Sequence, residues 1–325
     1  MNGAIAVISN HITRLSGVFT ERFRCHPNRG LTYDARRAVF YTDECSHGVI
    51  DIRPSSGATD ARWCGGTVQS RRPWMASWAA HKANGPGEAS RNSAAIEARG
   101  ECVTIDGVHA RNVSDGVRLV DARDWRIERC WLDYIRDDAI ENDHLSSGIV
   151  HDCLLDGVYS AFSARPPRGH LDAEAAGSVL TVDSCLVRLE PQPYPHKWET
   201  KPGVVTTGGI PYSHGPFFKR RRDGSGRDDL RYRLRWSVFL AQHCGAAGID
   251  FPPDELLDEC IGVTVIWLGE GEYPGQLPSA GVRLVTGDLG RAEWAACVQD
   301  WHRRNPYVGV ACKPLRWRGR LESAL

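Results

Sequence analysis

Four carboxylates fall within seven residues of the chain, at Asp137, Asp138, Glu141 and Asp143. Carboxylates this close raise one another's proton affinity, so one can hold a proton as an acid while another serves as a base, the division of labour in glycoside hydrolysis. The same oxygens are the donor type that Ca²⁺ takes. A cation set against a uronate carboxylate acidifies the neighbouring α-proton, and a basic side chain that removes it completes a β-elimination. The candidate bases are Lys219 and Arg165. Lys219 follows Phe217 and Phe218 and precedes Arg220, Arg221 and Arg222; Arg168, His170 and His214 are further basic groups that can share its side. A plainer reading stands beside these. Asp and Asn commonly cap turns by bonding local backbone, and a run of arginines in a loop is commonly a solvated surface.

Chemistry at these residues requires elements that bring distant segments together, and the chain carries a repeat suited to that. Trp125–Leu132, Gly148–Leu155 and Leu180–Val187 read alike: an alternating strand, a polar or small pair, a Cys and two apolar residues. Looser copies stand at Cys102–Ile105, Leu234–Phe239 and Val263–Leu268. A second strand follows each first one, at Asp115–Val120, Asp138–Asp143, Asp156–Ala161, Gly215–Arg220 and Ala247–Phe251. The period is about 22 residues, and alternation of period 2 turns one side chain in and the next out. A coil this short cannot bury its inner face alone, so coils must stack, each strand pairing with its copy one coil away. Cys130, Cys153 and Cys185 then form an internal ladder of small apolar groups. A β-sandwich also uses many short strands but implies no constant period.

Alignment of the second-strand copies turns Arg118, Glu141 and Tyr159 outward in one column, with Asp143 two positions on and Phe218, Lys219 and Arg220 nearby. Side chains stacked about 4.8 Å apart per coil line a shallow groove, which suits an extended sugar chain.

The repeats Ile127–Cys130, Val150–Cys153 and Val182–Cys185 resemble those of the pectin-lyase-like superfamily of right-handed β-helix proteins. Tyr134–Asp143 with Ser147–Asp156, together with Phe217–Lys219 and Ile266–Pro274, is similar to a bacterial branch described as β-helix repeat proteins. The resemblance spans roughly residues 95–305. It implies the fold, and it implies a polysaccharide partner, because the superfamily includes lyases, glycosidases and glycan-binding proteins; fold alone does not choose among them. The Asp137–Asp138 pair is similar to the paired aspartates of polygalacturonases, whose Gly-His-Gly and Arg-Ile-Lys segments are absent.

Bulk properties are compatible with this reading. The chain has 325 residues, 42% hydrophobic and 25% charged, as a folded protein does. Lys plus Arg and Asp plus Glu both total 40, which gives no basic surplus for general nucleic-acid binding. No apolar run is long enough to span a membrane, and the first residues lack the basic start of a signal peptide. Eleven cysteines, an odd number without a CxxC pair, fit neither a disulfide scaffold nor a zinc ribbon.

The expectation is therefore all-β, a single-stranded right-handed parallel β-helix with capping segments and a short C-terminal helix. Residues 1–95 form the cap and first coils, 96–288 the body with insertions at 164–178, 189–214 and 220–229, and 289–325 a capping helix and tail. The expected activity is β-elimination on a uronic-acid polysaccharide, with glycoside hydrolysis or non-catalytic glycan binding as alternatives. Asp138, Glu141, Asp143, Lys219 and Arg165 are the candidate catalytic residues; Arg118, Asp137, Tyr159, His214, Phe218 and Arg220 are the candidate contacts to an anionic sugar. Ca²⁺ is the cofactor the acids would admit, and the resemblance implies an extracytoplasmic location.

Overall fold

The computed structural model describes residues 5–9, 11–26, 30–41, 48–54, 60–76, 93–165, 177–193, 205–207, 210–220 and 230–309. The fold is mostly β; most of its strands run parallel in three columns, beside a small antiparallel sheet of Gln192–Pro193, Ile210–Ser213 and Val205–Thr207. The first column includes Thr104–Asp106, Trp125–Glu128, Gly148–His151, Val179–Asp183 and Arg231–Arg235, each paired with the next. The second includes His109–Arg111, Trp131–Asp133, Leu154–Val158, Leu186–Leu189, Val238–Ala241 and Val263–Trp267. The third is a seven-stranded sheet that runs from Phe23–Cys25 through Ala94–Glu101, Asp115–Arg123, Asp138–Glu141 and Ser160–Ala164 to Phe218–Arg220. Through Phe218–Arg220 the chain visits the three columns in turn, and the last coils contribute to the first two alone among the described residues, so the architecture is that of a parallel β-helix-like solenoid. Arg165 closes the last described residue before 166–176, and Arg168, His170, Arg221 and Arg222 lie outside the described residues.

The corner between the first two columns explains the repeat. One residue per coil adopts a left-handed backbone there: Gly107, Arg129, Asp152, Ser184, Trp236 and Gly262, with φ between 47° and 67°. The Cys follows directly. The backbone N–H of Cys130 donates to Cys153 Sγ at 3.4 Å, and that sulfur lies 3.4 Å from the His151 carbonyl and 3.6 Å from that of Ile127. In the next coil Cys185 repeats the arrangement, and its own N–H donates to Ser237 Oγ at 3.0 Å. The thiols are therefore more than apolar filler. They satisfy the backbone groups that a left-handed corner leaves without a ladder partner.

Two expectations are corrected. Ala247–Phe251 is not a strand; Ile249 and Phe251 are buried, and Phe251 packs among Phe217, Phe218 and Phe239 at the end of the core. Nor does the C-terminal helix close that end. Helix α1 (Gly287–Arg304) lies along the side of the second column, where Trp294, Val298 and the buried Trp301 cover Leu154, Leu186, Val238, Leu240 and Ile266. Trp301 Nε1 donates to the Asp152 carbonyl at 2.8 Å. At the other end, Ile5–Ser9 pairs antiparallel with Ile12–Phe19. Among the described residues no helix is long and apolar enough to cross a membrane.

Candidate functional site

Pairing in the third column stacks Arg24, Asp51, Glu97, Arg118, Glu141, Ser163 and Lys219 at equal positions in successive coils. Most acids along it have arginine partners. Asp51 lies 2.6 Å from Arg22 and 2.8 Å from Arg53, and Glu97 lies 3.0 Å from Arg99. Burial alone would push the Glu97 carboxyl up, yet Arg99 and its neighbours hold it below the usual range.

The balance changes one coil further on. Arg118 bridges Asp115 and Glu141, the latter at 2.6 Å. The other Asp115 oxygen accepts the backbone N–H of Asp138 at 3.2 Å. Oxygens of Asp115, Asp137 and Asp138 all lie within 4.8 Å of one another. Against this group stands Lys219, whose Nζ lies 2.6 Å from Asp138 Oδ2 and 3.7 Å from Asp137 Oδ1. Asp138 is buried, and its Oδ1 has no hydrogen-bond partner among the described residues. Burial, only partly offset by Lys219 and reinforced by Asp137, Asp115 and Asp143, pushes the Asp138 carboxyl up to about 7. Glu141 is also raised, by burial against the pull of Arg118. Lys219 feels burial in the opposite sense, but Asp138 and Asp137 outweigh it and hold the ammonium well above its ordinary range. Arg118 on Asp115 and Lys219 on Asp138 and Asp137 leave three clustered carboxylates with two cations, and burial adds to the affinity of Asp138 for a proton near neutral pH.

The remaining candidates separate by placement. Asp143 accepts from Ser163 Oγ at 2.6 Å and from the Arg165 backbone N–H at 2.9 Å, while the residue Arg165 is exposed. Arg220 is half-buried beside Ala164 in the same pairing. Lys219 occupies the outward column itself, not a neighbouring register. Tyr159 does not: Ser163 follows Glu141, because the third copy is Ser160–Ala164 and not Asp156–Ala161. Asp156-Gly157-Val158 imitates the motif but belongs to the second column, interrupted at Gly157 with φ 71°. Phe218 points into the core, stacked on Phe162 at 5.3 Å, and is not a groove contact. His214 is fully buried, its ring nitrogens 2.7 Å from the Gly215 carbonyl and 2.8 Å from that of His243, so it ties two loops together instead of facing a ligand. Burial pulls its imidazole down to about 4.

Sequence reasoning missed one member. Asp115 opens the strand copy before Asp138 and could have been found from the 23-residue offset alone. Arg136 adjoins the acids in sequence, but its guanidinium donates to the Trp74 carbonyl at 2.5 Å and to that of Ala76, and so holds that segment.

Asp115, Asp137 and Asp138 are the oxygen donors that could hold a cation such as Ca²⁺. Lys219 and Arg118 engage Asp138 Oδ2 and Asp115 Oδ2, and an N–H engages Asp115 Oδ1. A cation there would compete with these two side-chain cations for the same carboxylates. Comparison with known protein families, curated proteins and solved structures finds no match to this chain.

Proposed function

We propose that the chain is a carbohydrate-active, right-handed parallel β-helix of the pectin-lyase-like kind, which hydrolyses a glycosidic bond on its third strand face. The observation that carries this is Asp138: a buried carboxyl pushed up to about 7, packed against other carboxylates. Such a group is protonated in weak acid and can donate to a leaving oxygen, while an ionised neighbour serves as base or nucleophile. Glu141 and Asp137 are the partners at hand, both nearly buried. Lys219 covers Asp138 on a flexible stem, so a substrate reaches the acid by displacing its ammonium. Arg118 orients Glu141.

β-Elimination is the second reading, favoured by the cations Lys219, Arg165 and Arg220 on the rim, which suit a uronate. Its difficulty is that Lys219 is held protonated by two acids, whereas a base needs a free electron pair. Incubation with a panel of neutral and uronic polysaccharides separates the readings. Hydrolysis releases reducing ends without an unsaturated, ultraviolet-absorbing product, and Asp138→Asn abolishes that release. An unsaturated product would replace this proposal with elimination. Binding without either product would leave a glycan-binding protein, and neither binding nor turnover on the panel would remove the carbohydrate reading.

A further inference from the structure

We propose that His109 and His302 form an acid-sensitive clasp that holds helix α1 against the second strand column, and that acidification loosens the helix. The clasp is built on Trp131. The His109 ring stacks on the indole at 4.1 Å with a 5° interplanar angle, and the His302 ring, from the last turn of α1, meets it edge-on at 4.8 Å. Beyond the helix the chain passes directly over His109, where a Cβ added to Gly309 would come within 2.5 Å of His109 Cβ. The Gly309 carbonyl accepts from Thr67 Oγ1 at 3.4 Å. His109 is buried, and its Nε2 has no partner among the described residues.

The groups facing these rings make protonation costly. From its own strand His109 faces Arg111; from α1 it faces His302, another potential cation. The adjoining strand Thr67–Gln69 brings no charge. The strand Trp131–Asp133 brings Asp133, which lies 3.5 Å from Arg111. Asp156 faces His302, not His109. Within 305–309 only Tyr307 is titratable, and it is exposed. Burial first, then Arg111 and His302, pull His109 down to about 3, and burial pulls His302 down as well. Attraction of an imidazolium to the indole face opposes this only in part.

The sign follows from linkage. With the helix docked His109 is held neutral and His302 is harder to protonate; each recovers its ordinary value of 6.5 when the helix is released. Docking is therefore at full strength above pH 6.5 and weakens as pH falls below it. A histidine held neutral that far down costs up to about tenfold in the docking equilibrium per pH unit. Release uncovers the aliphatic stripe of Leu154, Leu186, Val238, Leu240 and Ile266.

Hydrogen exchange on the full chain, corrected for intrinsic rates, tests the clasp at pH 7.5 and pH 4.5. Protection of the α1 amides should fall by about a hundredfold at the lower pH relative to strands of the third column. His109→Phe, which keeps a ring on Trp131 but cannot be protonated, and the pair His109→Gln with His302→Gln should each lose less than about tenfold. Any residual loss in His109→Phe reports His302, which that variant retains against Trp131. The proposal is overturned if wild-type α1 keeps its protection at pH 4.5, or if His109→Phe loses as much as wild type.

Discussion

Asp138 and Lys219 dominate the residue scale, and their energetics are pH-dependent in opposite directions. The ordinary value for Asp138 is 3.8, and the folded protein holds it at about 7. Folding takes up a proton in that interval, so the contribution of this group to stability is complete below 3.8 and is lost as pH rises through 7. Asp138→Asn removes that dependence. Thermal unfolding should show the variant gaining on wild type between pH 5 and pH 8, by on the order of a few kcal/mol; a constant difference across that range would contradict the assignment. Lys219→Met acts in the opposite way, because it strands Asp138 without its cation. The loss should reach about 3 kcal/mol at pH 8 and shrink at pH 5, where Asp138 is already neutral. Denaturant midpoints at the two pH values measure this.

At the scale of the element, the corner between the first and second columns governs how the coil is made. The position after the left-handed residue is Val108, Cys130, Cys153, Cys185, Ser237 and Val263 in successive coils. Ser237 already performs there what the thiols do. Cys153→Ser should therefore cost less than Cys153→Ala, which leaves the Cys130 N–H without its acceptor at a cost of about 1–3 kcal/mol. Equal losses would reduce the ladder to packing. The cysteine repeat was legible because stacking imposes a near-constant spacing. Its hydrogen-bonding role was not, since the left-handed corner that creates the demand is a property of the backbone. Likewise Asp156-Gly157-Val158 read as a third-column strand: one short motif cannot reveal the turn at which a chain changes columns.

For the whole molecule, α1 closes the apolar outer side of the second column. Truncation after Thr286 removes the helix and bares Leu154, Leu186, Val238, Leu240 and Ile266. The shortened chain should bind a hydrophobic dye and self-associate, whereas one with its dye binding and solubility unchanged would show that the helix is dispensable. The charge pattern also exists only at this scale. Along the third column arginines accompany Asp51 and Glu97, and the acidic excess develops at Asp115, Asp137 and Asp138.

By itself the sequence determined the repeat, the stacking of parallel strands and the acid-rich coil, because period, alternation and local composition are written in consecutive residues. Tertiary structure decided which acids meet. Asp115 joins Asp138 across one coil, and Lys219 reaches it from 81 residues away. Phe218, its immediate neighbour, turns into the core. Such choices depend on register between coils. Insertions of unequal length change the spacing from 23 residues to 32 and more, so the ladder of inward side chains, not distance along the chain, sets which outward groups share a wall.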